Sequence, residues 1–131
     1  MIIYSEEKVQ DAKDVAEVFK NSGIKRPYED HDRIQRMIDN SDVLITAWMD
    51  GKMIGLARAL TDFAYCCYLS DLAVDINYQK HGIGRKLVKL LRDKIGDECS
   101  LVLLAAPGAV EYYPRIGFAR ADKAFVIGRK K

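Results

Sequence analysis

The sequence has few cysteines and prolines, and its positive and negative charges nearly cancel. Three of its 131 residues are cysteine, three are proline, and 21 basic residues stand against 19 acidic ones. An odd cysteine count with Cys66 and Cys67 adjacent is a poor disulfide framework, and no C-x-x-C occurs. We therefore expect reduced thiols and a cytoplasmic location. A net charge of +2 gives no support to a nucleic acid as the main partner.

Long apolar runs are also absent. No run approaches the roughly 20 residues that a membrane-spanning helix needs. The first ten residues, MIIYSEEKVQ, lack the charged and then apolar pattern of a signal peptide. We expect a soluble single domain over residues 1–131, with no membrane partner and no metal.

The most informative stretch runs from Asp71 to Gly96. It begins as an apolar strand, passes through the turn 79–85 (QKHGIGR) and enters a helix. Glycine lets the backbone approach a ligand closely, and a helix N-terminus favours an anion. The turn lacks the ending of a P-loop and the third glycine of a dinucleotide fingerprint. Binding of a pyrophosphate is the function that this turn favours.

Hydrophobic periodicity and turn residues predict the other elements. One helix follows a cap at Ser5, with Val9 in its apolar stripe, and three more occupy 28–38, the segment from Ile83 to Gly96, and 109–113. Strands are expected at 1–4, 43–49, 52–60, the later part of 63–74, 100–106 and 118–127. Asp50-Gly51 predicts a hairpin, and Gly55 predicts a bulge or close backbone packing. The fully apolar strand 100–106 is expected to be central and covered on both faces.

Two motifs resemble landmarks of one family. Residues 79–84 (QKHGIG) resemble the Q/R-x-x-G-x-G/A signature of the GCN5-related N-acetyltransferases (GNAT), and 113–118 (YPRIGF) resemble their tyrosine, turn and Gly-Phe. The element order also matches. The resemblance implies an α/β fold whose mostly antiparallel, twisted sheet has six to seven strands and about four flanking helices. It also implies a splay between the fourth and fifth strands.

The same resemblance implies an acetyl-CoA-dependent N-acetyltransferase. The strand before the turn would hold the pantetheine arm through the main chain of Leu72 and Val74, and the turn would hold the pyrophosphate. The implied coenzyme-binding residues are Leu72, Ala73, Val74, Gln79, Lys80, His81, Gly82, Ile83, Gly84 and Arg85. The asparagine or serine that many members carry before the tyrosine is missing from 107–111 (PGAVE).

Tyr113 matches the family tyrosine near the coenzyme sulfur. A phenol remains protonated at neutral pH and can donate a proton to a departing thiolate, so Tyr113 is the predicted general acid. Tyr112 is the alternative if the register slips, and Tyr113 could instead only form a wall of the coenzyme pocket.

The general base is left open. The strand glutamate of some members is replaced by Tyr68 here. Asp71 is the nearest carboxylate, but strand alternation places it on the face opposite Tyr68 unless a bulge intervenes. His31 and water are the other candidates. Cys66 and Cys67 lie in an apolar run and are expected to be buried and inert, which favours direct transfer.

The acceptor is not specified by these motifs. Residues 21–40 and the final hairpin region are the variable parts, and Glu29, Asp30 and Asp32 suggest a cationic amine. An acyl-CoA-binding module without catalysis is an alternative function, and phosphate or nucleic-acid binding by the basic turn is a weaker one. A homodimer is possible because dimers are common in the family.

Overall fold

The computed structural model describes residues 1–8 and 10–131. These residues contain one mixed five-stranded sheet. The strands lie in chain order: β1 (Ile2–Ser5), β2 (Val43–Met49), β3 (Lys52–Thr61), β4 (Cys66–Val74) and β5 (Ser100–Val102). All neighbours are antiparallel except β4 and β5, which are parallel and joined through a helix. The predicted meander and the strand–helix–strand unit are confirmed.

Helices cover both faces of the sheet. The described residues form α1 (Ala12–Ser22), α2 (His31–Asp39), α3 (Ile83–Ile95) and α4 (Tyr112–Arg115), with short 3₁₀ turns at Ile76–Tyr78 and Pro107–Ala109. On one face, α1 and α2 bury Phe19 and Ile34 against Leu56 of β3. On the other, α3 buries Leu87 against Ile45 of β2. Each such fully buried side chain contributes about 1.5–3 kcal/mol to folding.

The first helix begins later than predicted. Ser5 is the last residue of β1 and pairs with Thr46, so it is not a helix cap. The N-cap is Asp11, whose carboxylate accepts a hydrogen bond from the backbone N–H of Lys13 at 2.8 Å. Val9 lies outside the described residues.

The second helix also begins later, at His31 instead of residue 28. Asp30 is its N-cap, and the Asp30 carboxylate accepts from the backbone N–H of Arg33 at 3.0 Å. Part of the acidic cluster 29–32 therefore serves to start the helix.

Gly55 lies at a bulge, as predicted. The pairing of β2 with β3 shifts register here, because Ala47 pairs with Gly55 while Trp48 pairs with Met53. The backbone also packs closely. A Cβ added to Gly55 would lie 3.3 Å from both the Ala73 carbonyl oxygen and Cγ2 of Ile83. This contact brings α3 close to the sheet.

The C-terminal third departs most from the predictions. β5 covers only 100–102 and is an edge strand, so the prediction of a central strand at 100–106 is wrong. Residues 118–127, all described, form no strand, so the sheet has five strands and not six to seven. Their composition favours a strand, but a strand also needs a neighbouring backbone to pair with, and no strand of the described residues pairs with this segment.

Membrane-spanning helices and clusters of metal ligands are both absent from the described part of the chain. None of its helices is long and apolar enough to cross a membrane. It also contains no group of three or more His, Cys, Asp or Glu side chains arranged to hold a metal ion.

Candidate active site

The two parallel strands, β4 and β5, separate after a short paired region. β4 pairs with β5 only through Cys66, Cys67 and Tyr68, opposite Ser100 to Val102. β4 continues to Val74, so residues 69–74 have no strand partner on this side among the described residues. The separation expected between the fourth and fifth strands is present. It leaves an open strip of backbone that leads to the start of α3.

The backbone of β4 presents alternate residues to this open side. The N–H of Asp75 donates to the Ile54 carbonyl of β3 at 2.7 Å. Because paired and unpaired residues alternate along an antiparallel strand, Leu72 and Val74 direct their polar groups away from β3. Ala73 points its carbonyl towards Gly55 instead, and its side chain is buried. Leu72 and Val74 are thus the two residues able to bond an extended ligand there.

The turn after β4 is held by its own first residue. The Gln79 side-chain amide donates to the Val74 carbonyl at 2.9 Å, which ties the turn to the end of the strand. Lys80 and Gly82 both have left-handed backbone, with φ of 70° and 79°. Gly82 is the N-cap of α3 and makes no side-chain cap bond. Glycine adopts this conformation without the strain that a side chain adds.

The second glycine of the motif leaves space for a tyrosine side chain. Gly84 lies in the first turn of α3, and a Cβ built on it would lie 2.6 Å from the Tyr112 hydroxyl oxygen. Tyr112 therefore places its phenol against the helix N-terminus. Ile83 and Gly84 are buried, while the first backbone N–H groups of α3 have no intrahelical acceptor. The N-terminus of α3 therefore presents hydrogen-bond donors and the positive end of a dipole.

Basic side chains surround this turn. Lys80, His81 and Arg85 are all exposed. Arg85 donates to the backbone carbonyl of Arg115 at 3.1 Å, which links α3 to the end of α4. The turn therefore combines backbone donors with exposed basic side chains.

Tyr113 follows Tyr112 in α4. Its ring packs edge-on against Tyr112 and Phe118, with centroid distances of 5.3 and 5.5 Å. Burial raises the pKa of the Tyr113 phenol, Tyr112 adds to the rise, and the nearby Arg26 guanidinium opposes it. Burial also raises the pKa of Tyr112, against the opposing charge of Arg85. Both phenols are protonated at neutral pH, so either can act as a proton donor.

A bulge in β4 decides where Asp71 points. Arg58 of β3 pairs with Asp71, but its neighbour Ala59 pairs with Leu69, which leaves Ser70 as the extra residue. The extra residue reverses the alternation of the strand. Cys67 and Leu69 face α3 before the bulge, and Leu72 and Val74 face it afterwards. Asp71 therefore shares the α1–α2 face with Tyr68, contrary to the simple alternation used in the prediction.

Two arginines occupy both oxygens of the Asp71 carboxylate. Arg26 donates through Nε to Oδ1, and Arg58 donates through Nε to Oδ2, each at 2.5 Å. Both arginines also bind Ser70, at its carbonyl and its hydroxyl respectively. Asp71 is 1% exposed. A carboxylate that is buried and doubly paired is poorly suited to accept a proton from a substrate, so the geometry favours a structural role for Asp71.

The other proposed base, His31, is the exposed first residue of α2. Near it, a cleft of about 380 Å³ is lined by Arg26, Pro27, Tyr28, Glu29 and Asp30. Arg26 thus connects this cleft to Asp71 and lies close to Tyr113. The cleft contains two of the three acidic residues suggested for the acceptor.

The thiols do not form a reactive site. Cys66 is exposed, so the expectation that it is buried is wrong, whereas Cys67 is buried as expected. Burial is the main cause that raises the pKa of Cys67 to about 11. The Asp62 carboxylate raises that of Cys66. Both residues are therefore thiols at neutral pH, which disfavours a cysteine nucleophile.

Arg26 and Arg58 are the site residues that the sequence motifs miss. Arg58 stands in an apolar strand, where a lone charged residue is a signal that a buried partner exists. Arg26 lies in a connector, 45 positions from Asp71, and nothing in the local sequence links the two.

Comparison with known proteins decides the family. A model of the acetyltransferase (GNAT) domain matches residues 4–127. The chain belongs to the GNAT acetyltransferase family. Among curated relatives, soybean (Glycine max) histone acetyltransferase TAP1 is 38% identical over 79 residues, covering 59% of this chain and 34% of that protein. Rice (Oryza sativa subsp. japonica) chloroplastic serotonin N-acetyltransferase 2 is 30% identical over 112 residues, covering 79% of this chain and 54% of that protein. The match thus spans about a third to a half of these relatives.

Solved structures show the same GNAT fold. A probable acetyltransferase of unknown function from meticillin-resistant Staphylococcus aureus superposes with a TM-score of 0.86, at 18% identity over the whole of both chains. An aminoglycoside N-acetyltransferase, AAC(6′)-Iy in complex with CoA, superposes with a TM-score of 0.75 at 13% identity, covering 100% of this chain and 96% of that one. These GNAT neighbours support the fold and not a shared substrate.

Proposed function

We propose that this GNAT domain transfers the acetyl group of acetyl-CoA to a primary amine. The observation that carries the proposal is the open strip of β4 that leads into the N-terminus of α3. An extended arm can pair with the backbone at Leu72 and Val74, as an added strand does. A pyrophosphate can then reach the backbone donors of the turn.

The residues around the turn fit a coenzyme of this chemistry. Gly82 turns the chain, and Gly84 keeps the first turn of α3 free of a side chain. The exposed Lys80, His81 and Arg85 supply positive charge for phosphate groups. Gln79 fixes the turn and does not need to contact the coenzyme itself.

Transfer proceeds by direct attack in this proposal. The acceptor nitrogen forms a bond to the thioester carbonyl carbon, and the N–H of Leu72 stabilises the oxyanion. The C–S bond then breaks, and Tyr113 donates its proton to the departing thiolate. Water takes the proton of the amine, because both Asp71 oxygens are occupied by arginines.

The acceptor is proposed to enter from the α1–α2 side. The cleft at 26–30 opens there, and its Glu29 carboxylate is exposed. A cationic amine would be attracted to that carboxylate. Histones and serotonin, for which two of the relatives are named, both carry primary amines.

A thiol-release screen tests the function. The chain is incubated with saturating acetyl-CoA and a panel of polyamines, aminoglycosides, arylalkylamines and lysine peptides, and free CoA thiol is measured. We expect amine-dependent release that falls about 100-fold in Tyr113→Phe while acetyl-CoA affinity is retained. Equal turnover in this variant would remove Tyr113 as the acid.

Binding without turnover is the second candidate. It is favoured by the Asp71 carboxylate, which two arginines hold and which is therefore poorly placed to act as a base. Calorimetric titration with acetyl-CoA separates the two functions. Tight binding with no thiol release across the panel would support a regulatory module.

A further inference from the structure

The cluster around Asp71 holds more positive than negative charge. Arg26 and Arg58 both pair with the Asp71 carboxylate, one at each oxygen, and no other carboxylate of the described residues pairs with either guanidinium. Arg58 otherwise bonds neutral groups, among them the hydroxyls of Ser41 and Ser70. A buried positive charge without a counter-charge is unfavourable, so the cluster favours the binding of one more anion.

Arg26 is the member of this cluster that an external anion can reach. Its side chain is 26% exposed, against 9% for Arg58 and 1% for Asp71. It also lines the cleft of about 380 Å³ at residues 26–30. The surplus positive charge of the cluster is therefore open to that cleft.

The Arg26 guanidinium keeps two donors for a ligand. Its Nε donates to Asp71, and its Nη1 and Nη2 donate to the carbonyls of Lys25 and Ser70 at 2.7 and 2.9 Å. A guanidinium has five N–H groups, so one remains on each terminal nitrogen. Two donors on one planar group match the two oxygens of a carboxylate.

The other charges of the cleft favour a zwitterion over a simple anion. Glu29 and Asp30 line the same cleft and are exposed. They repel a phosphate or a dicarboxylate, because like charges placed close together are unfavourable. A molecule that carries an ammonium group beside its carboxylate has no net charge, and the cleft offers an opposite charge to each of its two ends.

We infer that Arg26 binds the carboxylate of an α-amino acid, and that this carboxylate decides which primary amines are acetylated. The inference rests on the acetyl transfer proposed above. The Ser70 carbonyl that Arg26 contacts lies two residues before Leu72 in β4, which is at most about 7 Å along a strand. The nitrogen and the carboxyl carbon of an α-amino acid lie about 2.5 Å apart, since both are bonded to one carbon. A carboxylate on Arg26 therefore holds the amine within reach of a thioester at Leu72.

Matched substrates test the role of the carboxylate. Tryptophan is compared with tryptamine and lysine with cadaverine, because the members of each pair differ only by the α-carboxylate. Free CoA thiol is measured at saturating acetyl-CoA for wild type and for Arg26→Gln. We expect kcat/KM for the amino acids to fall about 10–100-fold in the variant, with little change for the two amines. Comparison of the two proteins removes differences in basicity between the substrates.

Two further variants control the measurement. Arg36→Gln removes the same charge from an exposed position of α2 outside the cleft, and it should leave the preference for amino acids unchanged. Arg26→Lys retains the charge beside Asp71 but not the paired donors, so its preference should lie between those of wild type and Arg26→Gln. Thermal unfolding shows whether each variant is folded.

Calorimetry separates this inference from the proposed function. The chain is saturated with CoA, which carries no acetyl group to transfer, and is titrated with tryptophan and with tryptamine. Stronger binding of tryptophan that is lost in Arg26→Gln would support the carboxylate site, and the absence of thiol release with acetyl-CoA would then count against the transfer alone. Equal binding of the two ligands, or a preference for tryptophan that Arg26→Gln leaves unchanged, would overturn the inference.

Discussion

Asp71 and Arg58 face each other across β4 and β3, and the Arg58 guanidinium donates to the buried Asp71 carboxylate at 2.5 Å. Arg26 pairs with the other oxygen. Arg58 also bonds the Ser41 hydroxyl at 3.3 Å, so this cluster joins the sheet to the end of α2. The bulge at Ser70 turns Asp71 to the face where both arginines can reach it. The same bulge places the side chains of Leu72 and Val74 on the α3 face of the sheet.

Asp71→Asn should lower the free energy of unfolding by about 3–5 kcal/mol. The substitution leaves two guanidinium groups without their counter-charge, one of them almost fully buried. Urea unfolding measures the effect. Asp93→Asn is the matched control, since Asp93 pairs with Lys89 on the surface and should cost no more than about 0.5 kcal/mol. A loss at Asp71 no larger than in the control would contradict the structural role.

The pH dependence of turnover should contain no contribution from Asp71 as a base. If water and not Asp71 accepts the amine proton, folded Asp71→Asn protein keeps the acidic limb of the wild-type pH–rate profile. Steady-state rates at low temperature, where the variant is folded, provide the measurement. Loss of that limb would restore Asp71 as the base.

The alkaline limb should report the general acid. Burial raises the pKa of Tyr113 above its ordinary value of 10, and the acid must be protonated to act. Turnover should therefore show no decline from loss of the acid below about pH 10. Tyr112→Phe is the comparison variant, and it should retain turnover while changing acetyl-CoA affinity. A fall in turnover limited to Tyr112→Phe would make Tyr112, and not Tyr113, the general acid.

Short-range chemistry explains what the sequence predicts well. Asp50-Gly51 forms the expected hairpin, and both residues have the positive φ that this turn needs. The strand–turn–helix at 71–96 appears as predicted because its glycines, cap and apolar stripe lie close together in the chain. The coenzyme side of the candidate site consists of these local features.

Contacts between residues far apart in the chain explain what the sequence predicts poorly. The extra residue at Ser70 has no sequence signature, yet it decides which face Asp71 occupies. Cys66 lies in an apolar run but at the exposed start of β4. Residues 118–127 have the composition of a strand, but they pair with no strand among the described residues. Composition reports the preference of a segment and not the presence of its partner.

Acid should remove the contribution of Asp62 to stability. Its carboxylate accepts from the backbone N–H groups of Ala64, Tyr65 and Cys66, and these bonds lower its pKa to about 2. A depressed folded pKa stabilises the fold above pH 4, and this contribution is lost as the pH falls towards 2. Asp62→Asn should lower the Tm at pH 7, and the difference from wild type should shrink by pH 2.5. A difference independent of pH would show that the charge is not responsible.

Gly82→Ala should weaken coenzyme binding more than it weakens the fold. Gly82 has φ of 79° with no neighbour near its missing Cβ, so alanine adds conformational strain of about 1–2 kcal/mol without a clash. Gly23→Ala is the matched control, because Gly23 has φ of 83°, equally open surroundings and a position at the end of α1, on the opposite face of the sheet from α3. Thermal unfolding should show similar losses for both variants. Calorimetric titration should show weaker acetyl-CoA binding only in Gly82→Ala, because relief of the strain changes the direction of the first N–H groups of α3. Equal affinities in the two variants would separate this turn from the coenzyme.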